Sequence, residues 1–220
     1  MTRHVLLSWS SGKDSAWALH VLRGDPSVQV VGLLTTINEK ANRVAMHAVR
    51  ESLLDQQARA LGLPTTKIYL PEPCSNADYE RAMIEAMDDA RRHGVDAIAF
   101  GDLFLEDIRR YREEKLAPTG IEPIFPLWGA PTADLAREMV TAGLRAIVTS
   151  VDPAQLDPKF VGRVFDQAFL EDLPAGVDPC GENGEFHTFA YAGPMFEQPL
   201  DVTPGQAAER DGFVYFDVMP

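Results

Sequence analysis

Two rhythms of apolar and polar positions alternate through residues 1–151 of this 220-residue chain. Short unbroken apolar runs, at 5–7, 28–36, 65–70, 97–103 and 144–151, have the pattern of strands buried on both faces. Between them, apolar residues recur every three or four positions, the spacing of a helix with one buried stripe. The first such segment opens at Asp14 and Ser15 and carries Trp17, Ala18, Val21 and Leu22. A second covers 44–61, with Met46, Val49 and Leu53 on one stripe, Leu54, Ala58 and Leu61 beside it, and a stop at Gly62 and Pro64. Ser75 or Asn76 caps a third, which ends at His93 and Gly94 with Tyr79, Met83, Ala86 and Ala90 inward. A charged helix is predicted over 106–116, and another from Thr132 to Gly143. Residues 121–127 fit a strand, which Pro123 and Pro126 assign to an edge or an irregular crossing.

Strands alternating with helices of this length imply βαβ units and an α/β fold: a Rossmann-like, mostly parallel sheet with helices on both faces. In open sheets of this kind the ligand lies beyond the carboxyl ends of the strands, where the strand order reverses. After Val151 the rhythm breaks. Pro153, Pro158, Pro174, Pro179, Pro194, Pro199 and Pro204 punctuate shorter segments. A helix is predicted within 159–173, and strands at 186–192 and 213–218. This tail has few aliphatic residues to bury and is expected to be a small α+β subdomain leaning on the sheet. The expected division is therefore a larger domain at 1–151 and a smaller subdomain at 152–220 packed on it.

Composition narrows the function classes. A net charge of −13 disfavours wide contact with a phosphate backbone, so no extensive nucleic-acid binding is expected. The two cysteines, Cys74 and Cys180, form no Cys-x-x-Cys pair, which leaves no zinc finger or dithiol motif in view. The first residues lack an apolar signal core, and no apolar run approaches the ~20 residues that span a bilayer. A soluble, cytoplasmic protein with reduced thiols and no membrane partner is the expectation.

Candidate chemistry begins where the first strand ends, in Leu6-Leu7-Ser8-Trp9-Ser10-Ser11-Gly12-Lys13-Asp14-Ser15. Small residues at a strand–helix corner let an anion approach exposed backbone N–H groups and the positive end of a helix dipole, and Lys13 adds a full charge. A Walker loop requires an earlier glycine and a hydroxyl residue after the lysine, and neither is present. The segment instead resembles the PP-loop, Ser-Gly-Gly-Lys-Asp-Ser, of pyrophosphatases that split ATP between its α- and β-phosphates. Ser11 stands at the middle glycine. That exchange is expected to be tolerated if its φ is negative, with its hydroxyl then free to meet phosphate.

A second constellation lies at 178–188, Asp-Pro-Cys-Gly-Glu-Asn-Gly-Glu-Phe-His-Thr. Its glycines frame a turn with two carboxylates. Glu185 and His187 flank Phe186 and are expected on one face of the strand that begins there. Such a cluster can bind magnesium or take a proton from an amine; alone, it also fits an acidic surface turn. Together with the PP-loop, the block resembles the second signature of the diphthine–ammonia ligase family, Gly-Glu-Gly-Gly-Glu-Tyr-Glu-Thr. Glu182, Gly184, Glu185 and Thr188 correspond, whereas Asn183, Phe186 and His187 depart from Gly, Tyr and Glu. Residues 203–205 and 211–214 are similar to the family's closing segment.

The resemblance implies an adenine-nucleotide α-hydrolase (HUP-type) fold and an ATP-dependent, AMP-forming ligase. In that chemistry a carboxylate attacks the α-phosphate, pyrophosphate leaves, and ammonia converts the acyl-adenylate to an amide. It implies ATP and Mg2+ as cofactors and a carboxylate substrate, free or protein-bound; a homodimer is compatible with the sequence. Ser10, Ser11, Gly12 and Ser15 are the expected cradle for the β- and γ-phosphates, with Ser8 at the strand end also on the nucleotide. Lys13 is expected to offset charge as the α–β bond breaks, and Asp14 to hold magnesium. Glu182, Glu185 and His187 join Lys13 and Asp14 as catalytic candidates. Thr35, at the end of the second strand, and Met46 with His47 are placed near adenine. Gly101 and Asp102 are expected at ribose or metal, and Arg109 and Arg112, three apart on one helix, at the polyphosphate. Trp128 fits either a substrate-pocket wall or the core. Two other readings stay open: a nucleotide sensor without turnover, and a PP-loop enzyme acting on tRNA.

Overall fold

Alternate residues of the first strand feed two different cores. In the computed structural model, which describes residues 2–44, 49–210 and 212–220, β1 (Arg3–Ser8) is covered on both faces. Val5 and Leu7 join one apolar cluster and Leu6 joins the other, as a period of two requires. β1 pairs in parallel with β2 (Val28–Asn38) on one edge and with β5 (Ala97–Ala99) on the other. The far edge of β2 takes β4 (Thr65–Leu70), and β5 takes β6 (Glu122–Ile124), both in parallel. A two-residue strand, β3 (Arg43–Val44), pairs antiparallel with Ile37 and Asn38 past the end of β1.

Helices α1 (Lys13–Gly24) and α2 (Glu51–Leu61) cover one face through Trp17, Leu19, Leu53 and Leu54. Helices α3 (Asn76–Arg92) and α4 (Glu106–Leu116) cover the other through Met87, Ala90 and Leu116. α3 opens with a reciprocal cap in which Ser75 accepts from the Asp78 N–H and the Asp78 carboxylate accepts from the Ser75 N–H. The chain runs outward from β1 through β2 to β4, then crosses back to β5. Strand order therefore reverses between β1 and β5, and their carboxyl ends open a crevice.

The remaining chain forms helix α5 (Thr132–Thr141), β7 (Arg145–Val151), α6 (Gln167–Asp172), β8 (Phe186–Ala192), β9 (Thr203–Arg210) and β10 (Phe213–Met219). Its strands make a second, antiparallel sheet in the order β8-β7-β10-β9. The apolar cluster beneath α1 and α2 continues into this sheet through Ile147, Val148, Phe186 and Phe189, so both sheets share one core.

Several sequence expectations require correction. The division at 151 cuts β7 away from both strands it pairs with, since β7 belongs to the second sheet rather than the parallel one; an apolar run has the same appearance in either setting. The helix expected over 44–61 starts only at Glu51; the Val44 N–H bonds the Val49 carbonyl, and Arg43 bridges Arg50 antiparallel. Met46 and His47 lie outside the described residues. The short helix expected within 159–173 is present as α6; the residues before it form a single turn at Pro158–Phe160 and, at 162–165, hydrogen-bond along β7. β9 was not anticipated; its residues are almost all exposed and carry no apolar alternation.

One glycine sets the width of the crevice. A Cβ at Gly101 would stand 3.0 Å from the Asp14 carbonyl carbon and 3.1 Å from the Ser15 nitrogen. The end of β5 thus rests against the first turn of α1. Gly101→Ala is expected to cost about 1–3 kcal/mol in urea unfolding; unchanged stability would mean that α1 shifts freely at this point.

Candidate active site

The loop between β1 and α1 is held in shape from three directions. The Trp9 N–H extends the strand ladder to the Leu34 carbonyl, and the Thr35 hydroxyl donates to the Trp9 carbonyl at 2.9 Å. Gln57 on α2 is fully buried and makes three bonds: its Oε1 accepts from the Trp9 indole, and its Nε2 donates to the carbonyls of Ser11 and Ala190. The Ala190 N–H on β8 donates to the same Ser11 carbonyl at 2.9 Å. Inside the loop, the Ser15 hydroxyl donates to the Gly12 carbonyl at 3.0 Å and stands 3.2 Å from that of Ser10.

Ser11 does not have the negative φ expected of it. Its φ is +70°, the left-handed conformation that the family's glycine adopts without strain, and its two carbonyl partners fix it there. Its hydroxyl is buried without a hydrogen-bond partner and does not line the cleft, so it is not the phosphate donor expected.

Lys13 begins α1 with only 2% of its side chain exposed. Its Nζ donates to both Asp14 carboxylate oxygens at 2.9 Å and to the Cys180 carbonyl, over the faces of Phe165 and Phe186. Its backbone N–H donates to the Thr188 hydroxyl at 3.1 Å. Burial alone would lower the ammonium's pKa, but the Asp14 carboxylate, with Cys180 and Glu182 behind it, holds it above the usual lysine value. Lys13 therefore carries its positive charge at neutral pH.

The turn at 178–185 is built on two inward carboxylates. Asp178 Oδ2 accepts from the N–H groups of Cys180 and Glu182. Glu185, 3% exposed, accepts from the Asp178 N–H and from both nitrogens of Asn183. Glu185 was expected to be catalytic, but its oxygens are used to shape the turn and it does not line the cleft. Gly181 has φ +69°, and a Cβ there would lie 2.8 Å from the Phe186 carbonyl oxygen. The outward carboxylate is Glu182, whose Oε1 accepts from the Leu103 N–H at 2.7 Å and joins the turn to the end of β5. Burial, reinforced by Asp14 and Asp102 against the Leu103 bond and Lys13, pushes Glu182 up to about 7. His187 is pushed down to about 4 by burial and by Lys13, so its imidazole is neutral at pH 7. Burial pushes the Cys180 thiol up to about 12, which makes it a poor nucleophile.

These elements enclose a cleft of roughly 370 Å³ at the reversal between β1 and β5. Of the expected site residues, Ser8, Ser10, Lys13, Asp14, Ser15, Gly101, Asp102, Arg112, Glu182 and His187 line it. Arg112 binds Asp102 in a fork, Nε to Oδ2 at 2.5 Å and Nη2 to Oδ1 at 3.0 Å, with its guanidinium stacked on Phe100. Arg109 does not join it: it pairs with Glu113 and lies over Phe125 and Trp128, while Leu105, Ile108 and Arg112 are the residues around α4 that line the cleft. Thr35 also stays outside as a brace of the loop, and Gly12 serves as the residue before α1. Gln57 and Asp178 support the site without having been given a role from sequence, and Thr188, a matching residue of the second signature, lines the cleft. A buried Gln on a helix has no local sequence signal, whereas Thr188 closes the quoted motif.

The cleft fits a polyphosphate. The first-turn N–H groups of α1 lack intrahelical acceptors, and Asp14 and Ser15 sit on its wall. Among the described residues no three His, Cys, Asp or Glu side chains gather around a metal position. Asp14 and Asp102 as separate carboxylates suit Mg2+ carried on phosphate oxygens rather than an all-protein cage. Ser11→Gly is expected to remove both the left-handed strain and the orphaned hydroxyl, stabilising the fold by about 1 kcal/mol in urea unfolding; destabilisation would contradict the strained geometry.

Residues 3–121 match the diphthamide synthase N-terminal domain, and residues 131–217 match the diphthamide synthase C-terminal domain. β6 lies in the short interval between the two stretches. The human diphthine–ammonia ligase is 27% identical over 217 residues, covering 88% of this chain and 80% of that one. The Danio rerio diphthine–ammonia ligase is 28% identical over 237 residues, covering 93% and 89%. A solved chain from Methanocaldococcus jannaschii, described as a predicted subunit of tRNA methyltransferase, aligns over 67% of this chain and 80% of its own at 16% identity, with a TM-score of 0.43. The N-terminal match alone spans more than half of the sequence, and the chain belongs to the diphthamide synthase family.

Proposed function

We propose that this chain is an ATP-dependent, AMP-forming ligase that joins a carboxylate to ammonia as an amide. One juxtaposition carries the reading: a polyphosphate cradle with a cation, Lys13, faces a carboxylate, Glu182, that changes charge near neutrality. A nucleotide sensor has no use for such a proton acceptor. The names of the curated relatives agree with ligation, and diphthine is the substrate that those names indicate.

In this scheme the N-terminus of α1, with Ser10 and Ser15, holds the β- and γ-phosphates. A substrate carboxylate oxygen attacks the α-phosphorus, the bond to the bridging oxygen breaks, and pyrophosphate leaves with that bond's electrons. Lys13 stabilises the charge that develops, an effect that is largest in a site shielded from water. Asp14 or Asp102 would hold Mg2+, which would supply further neutralisation of the phosphate charge. Ammonia then attacks the acyl carbon, the acyl–oxygen bond breaks, and AMP departs. Glu182 accepts the proton that the nitrogen loses. His187, neutral, lines the same wall and orients the reactants by hydrogen bonding.

The charge of Glu182 fixes the pH dependence. Its raised pKa leaves it protonated and unable to accept below about 7, and competent above. At constant free-ammonia concentration, amide formation is expected to rise through pH 7 to a plateau. Glu182→Gln is expected to flatten that rise and lower turnover by roughly 10²–10⁴-fold. The measurement is AMP, pyrophosphate and amide release against pH; ADP and phosphate as products would contradict the reading.

A further inference from the structure

Gln57 carries no charge and does not line the cleft, yet both polar atoms of its side chain are committed around the phosphate loop. Oε1 accepts from the Trp9 indole at 2.9 Å, and Nε2 donates to the Ser11 carbonyl at 3.0 Å and to the Ala190 carbonyl at 2.7 Å. Only an amide supplies an acceptor on one side and two donors on the other. A carboxylate of the same shape would turn an oxygen toward two carbonyls, and an aliphatic chain would leave them without this donor. The side chain is fully buried on α2, away from water that could replace it.

The Ser11 carbonyl also accepts from the Ala190 N–H at 2.9 Å, so two donors grip one oxygen. β8 is an edge strand of the second sheet, and Ala190 gives both of its backbone groups to this junction. The peptide joining Ser11 to Gly12 is planar and trans, which points the Gly12 N–H away from the gripped carbonyl. That N–H lies 3.4 Å from the hydroxyl oxygen of Ser10, a cleft residue, in a long contact that an anion can replace. The Ser15 hydroxyl gives its proton to the Gly12 carbonyl, which leaves the Ser10 proton for the Ser15 oxygen or for a phosphate oxygen. All of this depends on Ser11 staying at φ +70°, a conformation that serine leaves when nothing holds it.

We propose that Gln57 is a positioning residue for the leaving pyrophosphate: by gripping the Ser11 carbonyl it keeps the Gly12 N–H and the Ser10 hydroxyl turned to the β- and γ-phosphates. Without that grip Ser11 relaxes toward negative φ, the peptide turns, and the N–H is lost to the anion. Gln57 touches neither substrate nor reacting atoms and acts only through this one peptide. The assignment rests on the ligase reading for which phosphates depart, but its binding claim requires only an anion at the loop.

Inorganic pyrophosphate with Mg2+ and, separately, AMP, which lacks the two outer phosphates, are titrated into the full-length protein. Gln57→Met, of similar length and without donors, is expected to weaken pyrophosphate binding about tenfold and AMP binding by no more than roughly twofold. Adding Ser11→Gly to Gln57→Met should bring pyrophosphate affinity back to within about threefold of the unaltered protein, because glycine takes the left-handed conformation without a grip. Equal weakening of both ligands, or no recovery in the double variant, would overturn the assignment, since a general loosening of the fold gives those results. If Gln57→Met does not fold, the unaltered 15N-labelled protein decides. Pyrophosphate should then move the Gly12 backbone N–H signal downfield and leave the Gln57 side-chain N–H pair in slow exchange with solvent; an unmoved Gly12 signal or rapid exchange at Gln57 would overturn the assignment. Failure of the ligase reading appears separately, as a lack of AMP and pyrophosphate in the turnover assay with this pyrophosphate-over-AMP effect intact.

Discussion

A single buried ammonium organises this molecule. Removing a lysine charge from water costs several kcal/mol unless partners replace the lost solvation. Lys13 finds one partner beside it, the Asp14 carboxylate, and takes the rest from the far end of the chain: the Cys180 carbonyl and the ring faces of Phe165 and Phe186. Its N–H and the Ser11 carbonyl are likewise satisfied by β8, through Thr188 and Ala190. The loop between β1 and α1 therefore belongs to the first sheet by sequence and to both sheets by its bonds. Neither half can hold the loop alone, which agrees with a core that runs unbroken between them.

The acidic residues around that ammonium divide by direction. Asp178 and Glu185 point into the turn, accept several N–H bonds and act as scaffold. Asp14, Asp102 and Glu182 face the cleft. Burial of Glu182 beside two like charges raises its pKa to about 7, while burial and the nearby Lys13 keep His187 unprotonated at pH 7. One cation and one titrating carboxylate thus face each other across a small volume. This arrangement suits a reaction in which negative charge develops on phosphate at one stage and a proton leaves nitrogen at the next.

Much of this was legible in the chain. β4, β8 and α4 occupy the residues that periodicity gave them, and the corner from Ser8 to Ser15 is the predicted strand, loop and helix start. What sequence conveys poorly is which long-range partner an element chooses. The apolar run of β7 fits a parallel interior strand as well as a member of an antiparallel sheet, and only the pairing with β8 and β10 decides. The sign of φ at Ser11 is set by Gln57 and Ala190, remote in sequence from it. Glu185 and Glu182 look alike as letters; burial and the Asn183 and Asp178 N–H groups make one a scaffold and leave the other facing the cleft.

Joint construction of the cleft has a direct readout in backbone hydrogen–deuterium exchange of the whole chain with and without ATP and Mg2+. If the two sheets form one nucleotide site around Lys13, ATP will slow exchange in residues 10–16 and, to a comparable degree, in residues 178–188. Protection confined to the first segment, with the second unchanged, would contradict that account.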